Sequence, residues 1–349
     1  MRALFIGILA LLSTSFALKS LQVEAASELT GQERAEVASR GLVGSLAPKL
    51  VLKTIDGDTI DLGSLYGKKA VYLEFWATWC IPCREQMPHL EHTYRSAGPD
   101  LAVIAVNAGF DDSLAEVQKF RRQFGLTIPI VIDDGKLGEA FHLRVTPQHI
   151  VIGRDGRVQY VGHLADERLD AALQSARTAR SAGMPPSAAG MPDSTPGYGV
   201  GDHLPNISAT TLNGHLFRSL DPGTKRPTVL VFLSPWCESY LAPRRADLST
   251  RCRQVREQID SLAQDTDVRW LGIASRLWAT RDDLSDYQAQ YKVKIPLALD
   301  ESGVWFRSFR VMNVPAVLIA DADGKIVRRV EGFDAHFPEK LKDIARKMQ

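Results

Sequence analysis

Apolar residues in this chain gather into short dense runs. Between the runs lie longer stretches with apolar positions three and four apart. Ala70 to Phe75 is one such run and reads as a buried strand. Leu101 to Val106, Ile128 to Ile132, His149 to Gly153 and Val158 to Val161 read as further strands, the last two joined by the turn Asp155-Gly156. Helical spacing marks Arg84 to Ala97, Ser113 to Phe124 and Glu167 to Arg177, with a shorter piece at Leu137 to Leu143. Ser113 with Glu116 three residues on forms a capping box. Ahead of the first buried strand, Ala47 to Leu52 and Thr59 to Leu62 flank Asp56-Gly57, a hairpin signal. Strands alternating with helices predict an α/β fold.

The pattern then recurs. Leu204-Pro205-Asn206-Ile207 echoes Ala47-Pro48-Lys49-Leu50, and Asn213-Gly214 replaces Asp56-Gly57. Thr228 to Leu233 is a second buried strand, and Ile295 to Asp300 repeats Ile128 to Asp133. Val314-Pro315 repeats Thr146-Pro147, and Asp323-Gly324 follows its proline at the same distance as Asp155-Gly156. Two tandem domains are therefore expected, over 41–177 and 202–349. Residues 178–201, rich in glycine, proline and small polar residues, read as a flexible linker. Residues 1–26 carry Arg2, then an uncharged run from Ala3 to Leu18, then Lys19. Such a run is short for a spanning helix of about 20 residues and fits a signal peptide; an uncleaved N-terminal membrane anchor is the alternative. Both imply export to the periplasm or another extracytoplasmic space. Ser27 to Ser45 is polar with helical propensity and receives no function.

Composition narrows the function. The net charge is +1 with no basic stripe, so nucleic acid is not an expected partner. Cysteines number four, Cys80, Cys83, Cys237 and Cys252, too few for a disulfide scaffold. Only one Cys-x-x-Cys pair is present, so a zinc site would need two further ligands, and neither metal nor cofactor is expected. His89, His92, His142 and His149 show no pairing pattern and read as surface or packing residues.

Cys80 and Cys83 sit where a strand hands over to a helix. The spacing brings two sulfurs to one face of a first turn, close enough for a disulfide. Cys80 leads, so its sulfur meets the free N–H groups and positive end of the helix, which favours a thiolate. Cys83, one turn in and less exposed, is placed to resolve a mixed disulfide formed on Cys80. Glu74, six residues upstream, lies in an apolar strand, where desolvation raises a carboxyl pKa toward the range useful for proton exchange. Strand alternation puts Glu74 and Trp76 on one face and Phe75 on the other.

The segment Phe75-Trp-Ala-Thr-Trp-Cys-Ile-Pro-Cys83 resembles the active-site stretch of the thioredoxin superfamily, in its periplasmic TlpA/ResA-like branch. The early hairpin and the extra helix and strand at 113–132 resemble features of that branch. The resemblance implies two tandem thioredoxin-like domains, each a central mixed β-sheet flanked by helices. It implies a cis Pro147 beside the cysteines, with Thr146 pairing with client backbone and Trp79 and Pro82 in an exposed apolar rim where clients dock. In thioredoxin a buried aspartate holds the place of Glu74. The implied activity is thiol-disulfide exchange, reducing disulfides of exported client proteins such as apocytochrome c or copper-site cysteines. A membrane electron donor of the DsbD/CcdA kind would recharge the pair. A disulfide-forming oxidant using the same residues and a copper- or partner-binding protein are the alternatives. In the second domain Tyr240 replaces Cys83 and Val231 replaces Glu74, so a docking or structural role is expected. An unbroken helix would hold Cys237 and Cys252 about 22 Å apart, beyond disulfide reach, whereas a break near Pro243 would let them meet.

Overall fold

The computed structural model describes residues 29–178, 197–221, 223–263 and 267–346. The expected signal or anchor segment and nearly all of the expected linker lie outside these residues. Among the described residues no helix is long and apolar enough to cross a membrane.

The first half runs α1 (Gly31–Ser39), β1 (Val51–Lys53), β2 (Thr59–Asp61), α2 (Leu62–Leu65), β3 (Ala70–Trp76), α3 (Ile81–Arg95), β4 (Leu101–Asn107), α4 (Leu114–Phe124), β5 (Ile130–Ile132), α5 (Lys136–Ala140), β6 (Gln148–Ile152), β7 (Val158–Gly162) and α6 (Glu167–Thr178). Its main sheet has the order β5-β4-β3-β6-β7. The strands β3, β4 and β5 are parallel, while β6 and β7 are antiparallel to their neighbours. Every residue of β3 is buried, which explains why all of them but Glu74 are apolar or aromatic. The hairpin turns at Asp56-Gly57, with Gly57 at φ 94, a conformation glycine takes without penalty. Ser113 and Glu116 form the expected capping box on α4. The polar stretch before the hairpin forms α1, which Thr30 and Glu33 cap in the same way.

The second half repeats this plan: β8 (Ser208–Thr210), β9 (Leu216–Arg218), β10 (Thr228–Leu233), α7 (Cys237–Tyr240), α8 (Ala246–Leu262), β11 (Arg269–Ser275), α9 (Arg281–Tyr291), β12 (Leu297–Asp300), α10 (Val304–Ser308), β13 (Ala316–Ala320), β14 (Ile326–Glu331) and α11 (Phe337–Arg346). The sheet order β12-β11-β10-β13-β14 matches the first strand for strand. Two thioredoxin-like domains in tandem are thus present. They differ after the strand that leads to the cysteines. In domain 1 the helix α3 runs unbroken from Ile81 to Arg95, through Pro88. In domain 2 the helix stops at Tyr240, turns through a segment holding Pro243, and restarts at Ala246. That break brings Cys237 and Cys252 to a Cα separation of 6.3 Å, and they form a disulfide.

One apolar cluster continues across the contact between the domains, while a second lies wholly within domain 2. Buried residues from both, among them Trp79, Phe110, Phe232 and Trp305, form a single cluster. The domains meet through the loops that follow β4 and β11, where Asp111 and Trp278 adopt left-handed backbone conformations with φ of 55° and 56°. Such a conformation costs a non-glycine residue about 1–2 kcal/mol, and packing in the closed pair offsets that cost.

Candidate functional site

Cys80 is the N-cap of α3, and Cys83 sits at the helix's third position. The two form a disulfide with a Cα separation of 5.3 Å. The Cys83 N–H donates to Cys80 Sγ at 3.2 Å, so the leading sulfur occupies the acceptor position that a serine or aspartate cap would fill. When the bond is reduced, that N–H and the helix dipole favour the Cys80 thiolate. The Thr146–Pro147 peptide is cis, and the Thr146 carbonyl oxygen lies 3.3 Å from Cys80 Sγ.

Beneath the cysteines lies a buried polar cluster. Glu74 is fully buried on β3 and stands opposite His149 of β6. Tyr72, two residues earlier and on the same strand face, is 3.1 Å from Glu74 Oε2 and 2.9 Å from His149 Nδ1. The other ring nitrogen, His149 Nε2, lies 3.0 Å from Gln86 Oε1 on α3. The Gln86 amide is fixed by backbone, because its Oε1 accepts from Ala165 N–H and its Nε2 donates to the His163 carbonyl. His149 Nε2 must therefore carry the proton, leaving Nδ1 to accept the single Tyr72 hydroxyl proton, while the protonated Glu74 carboxyl donates to the Tyr72 oxygen. Burial holds the His149 pKa down at about 3. Burial lifts that of Glu74 to about 8, against a smaller opposing effect of the Tyr72 hydrogen bond. Both groups are accordingly uncharged at pH 7, and their 3.5 Å approach is a polar contact, not an ion pair. Glu74 Oε1 has no hydrogen-bond partner. Gln86 ties this cluster to α3 one turn after Cys83, so Glu74 lies on the sheet face covered by the active-site helix.

Most of the sequence-read site residues come together, all of them buried: Cys80 and Cys83 at the start of α3, Thr146 and Pro147 ahead of β6 beside Cys80, and Glu74 on β3. Three expectations need correction. Trp79 is not part of an exposed rim; it is 2% exposed and packs at a tilt against Trp236 of domain 2, 4.9 Å between centroids. Cys80 is 1% exposed, and its neighbours Trp79 and Ile81 both touch that domain. Thr146 is fully buried, its hydroxyl accepting from the Trp278 indole N–H of domain 2 at 3.1 Å. Pro82 is half-buried. His149 is a buried, hydrogen-bonded member of the cluster under the cysteines. Strand alternation from Glu74 could have found Tyr72; the cross-strand position of His149 needed the sheet register.

In domain 2, Tyr240 does stand in the place of Cys83, and its hydroxyl accepts from the Ile81 N–H at 3.0 Å. The missing resolving thiol has become a contact with the first turn of α3. Cys237 is 1% exposed and bonded to Cys252, so no cysteine of the chain is free.

Comparison with known proteins bears on domain 1. A Redoxin family model matches residues 42–177. The thioredoxin-like protein YneN of Bacillus subtilis is 35% identical over 133 residues, 37% of this chain and 78% of its own length. The thiol-disulfide oxidoreductase ResA of Bacillus thuringiensis is 34% identical over 136 residues, 38% of this chain and 77% of its own. A thiol:disulfide interchange protein of the thioredoxin family from Chlorobium tepidum is a similar solved structure, at 27% identity and a TM-score of 0.34. That match covers 38% of this chain and 96% of that one. Through its first domain, the chain belongs to the ResA/YneN-like thiol-disulfide oxidoreductases of the thioredoxin superfamily.

Proposed function

We propose that this chain is an exported reductase of client-protein disulfides, with Cys80 as the attacking sulfur and Cys83 as the resolving one. The observation that carries this is the placement of Cys80 as a helix N-cap, bonded to Cys83, above a buried carboxyl on the strand that leads into the site. In the reduced enzyme the Cys80 thiolate attacks one sulfur of a client disulfide. The client's other sulfur leaves as a thiolate and takes a proton. Cys83 then passes its proton to Glu74, in the minor fraction of molecules whose carboxyl is ionised at neutral pH, and attacks Cys80 Sγ. The mixed disulfide breaks, the client leaves with both thiols, and Cys80–Cys83 is the new disulfide. Two electrons have moved to the client. A dithiol donor on the membrane, of the DsbD/CcdA kind, returns them.

Glu74 suits the proton step, because its pKa of about 8 lies close to the ordinary thiol value of about 8.5. Pro147 and Thr146 would position the client backbone beside Cys80, with Trp79 and Pro82 against its side chains. Clients of the cytochrome c or copper-site maturation type fit a family named for thiol-disulfide exchange. Export rests on the apolar run at residues 3–18. Domain 2, with tyrosine and valine in place of the resolving cysteine and the carboxyl, would dock or regulate rather than exchange.

The reduction potential of the Cys80–Cys83 pair tests the direction. A value near about −270 mV fits a reductant, and one near about −120 mV would make the chain a disulfide-forming oxidant.

A further inference from the structure

The contacts between the domains follow a two-fold pattern within one chain. Asp111 N–H donates to the Met312 carbonyl at 2.9 Å, and Trp278 N–H donates to the Arg144 carbonyl at 2.9 Å. Met312 and Arg144 each stand three residues before a cis proline, Pro315 and Pro147. Two residues nearer the prolines, the Asp111 carboxyl oxygen accepts from Val314 N–H at 3.0 Å, and the Trp278 indole donates to the Thr146 hydroxyl. The tryptophans before Cys80 and Cys237 pack against each other with tilted rings, and each donates its indole N–H to the loop of its own domain, at the Phe110 and Leu277 carbonyls. Residue i of one domain meets residue j of the other, and the equivalent of j meets the equivalent of i. That is the signature of a self-complementary interface, here formed between repeats rather than between copies.

Its location gives this interface a meaning. The strip from Arg144 to Thr146, with Trp79 beside it, is where a client chain must lie to present a sulfur to Cys80. The loop carrying Leu277 and Trp278 fills that strip. It uses a backbone N–H and an indole as a client segment would. We propose that domain 2 is the resident occupant of the client-docking face of domain 1, and that a protein client reaches Cys80 only when the two domains separate. This rests on the reading of Cys80 as the attacking sulfur.

The composition of the interface suits a contact that opens. Its centre is aromatic, but its margin is charged. At the margin Arg144 pairs with Glu301 at 3.0 Å, Arg245 with Glu116 at 3.0 Å, and Arg307 with Glu139, while the buried Arg34 pairs with Asp283 at 2.9 Å further in. An apolar centre ringed by ion pairs is the anatomy of a non-obligate interface, and its rim pairs weaken with salt. Domain 2 keeps the face that a partner thioredoxin fold would present and has lost the chemistry. What remains is a stand-in for the client.

The test uses the full chain, reduced and then exposed to a bulky polyethylene-glycol maleimide, with Cys80 modification followed by peptide mass spectrometry. Trp278→Ala removes the occupying side chain. Glu139→Arg and Arg307→Glu each place like charges across the margin, and the double exchange restores attraction. Cys80 of the wild-type chain should react slowly. Trp278→Ala should react at least about tenfold faster, as expected for a half-buried interface tryptophan whose indole bonds the buried Thr146 hydroxyl. Each single charge change should react several-fold faster, and the double exchange should return toward the wild-type rate. Equal rates in all five proteins, each folded by circular dichroism, would overturn the proposal. If Trp278→Ala does not fold, the charge exchange decides alone. The maleimide rate reads closure whether or not Cys80 attacks clients. A wrong assignment of the attacking sulfur would show separately, as client mixed disulfides on another cysteine.

Discussion

Replacing Glu74 by glutamine should reshape the pH dependence of stability in a calculable way. In the folded protein Glu74 is wholly buried and its carboxyl pKa stands at about 8, against 4.5 for an ordinary glutamate. Below pH 4.5 the group is protonated in both folded and unfolded chains and costs nothing. Between about 4.5 and about 8 the unfolded chain has lost the proton while the folded one keeps it. Stability therefore falls as pH rises, by about 1.4 kcal/mol per unit for this one group. By pH 7 the accumulated cost is on the order of 3 kcal/mol, and above about pH 8 it stops growing. Glutamine occupies the same volume and does not titrate. The variant should be more stable than the wild type at pH 7, and the gap should widen steadily from pH 5 to pH 8. Urea unfolding of the oxidised proteins at a series of pH values measures it. Other buried acids, Asp111 and Asp133 among them, contribute equally to both proteins and cancel in the difference. Parallel stability curves across that range would show that the folded Glu74 carboxyl titrates like an ordinary glutamate, too weak a base to take a proton from a thiol, and would remove the basis for its role in proton exchange.

Glu74→Gln should also slow insulin reduction at pH 7 by at least about tenfold, with Cys80 alkylation unchanged, because only the resolving thiol loses its proton acceptor. Cys80→Ser should abolish reductase activity in the same assay. Cys252→Ala should lower the unfolding free energy of domain 2 by about 3 kcal/mol, the effect of releasing a 15-residue loop, while the folded chain keeps its reductase activity. Burial raises the Asp111 carboxyl to about 8 at the domain interface, where it faces Arg245, Asp112 and Arg251. Closure should therefore weaken as pH rises toward 8. Asp111→Asn should reduce the maleimide reactivity of Cys80 relative to wild type, and more so at pH 8 than at pH 6.

Much of this was legible in the sequence because it rests on local rules. Buried strands announced themselves as apolar runs, the capping box at Ser113 and the turn at Gly57 were read from residue type, and the repeat exposed the second domain. The Cys80–Cys83 disulfide and the cis Pro147 followed from one well-populated motif. What stayed hidden depends on surfaces meeting. Trp79 reads as a docking residue in any single domain, and only the facing loop with Leu277 and Trp278 shows that it is already covered. The left-handed turns at Asp111 and Trp278 have no sequence signal, since neither residue is glycine. His149 gave no pattern because its partners come from β3 and α3, joined through sheet register. The union of Cys237 with Cys252 was one of two open outcomes, and the break between Tyr240 and Ala246 decides it.

The central claim is that clients exchange disulfides through Cys80. The direct measurement uses Cys83→Ser, which cannot resolve a mixed disulfide. The reduced variant is mixed with oxidised insulin, quenched with acid, and digested without reductant. Mass spectrometry should place the client's cysteine on Cys80, with Cys237 still bonded to Cys252. A stable client adduct on Cys237 or Cys252, or continued turnover with no adduct at all, would contradict it.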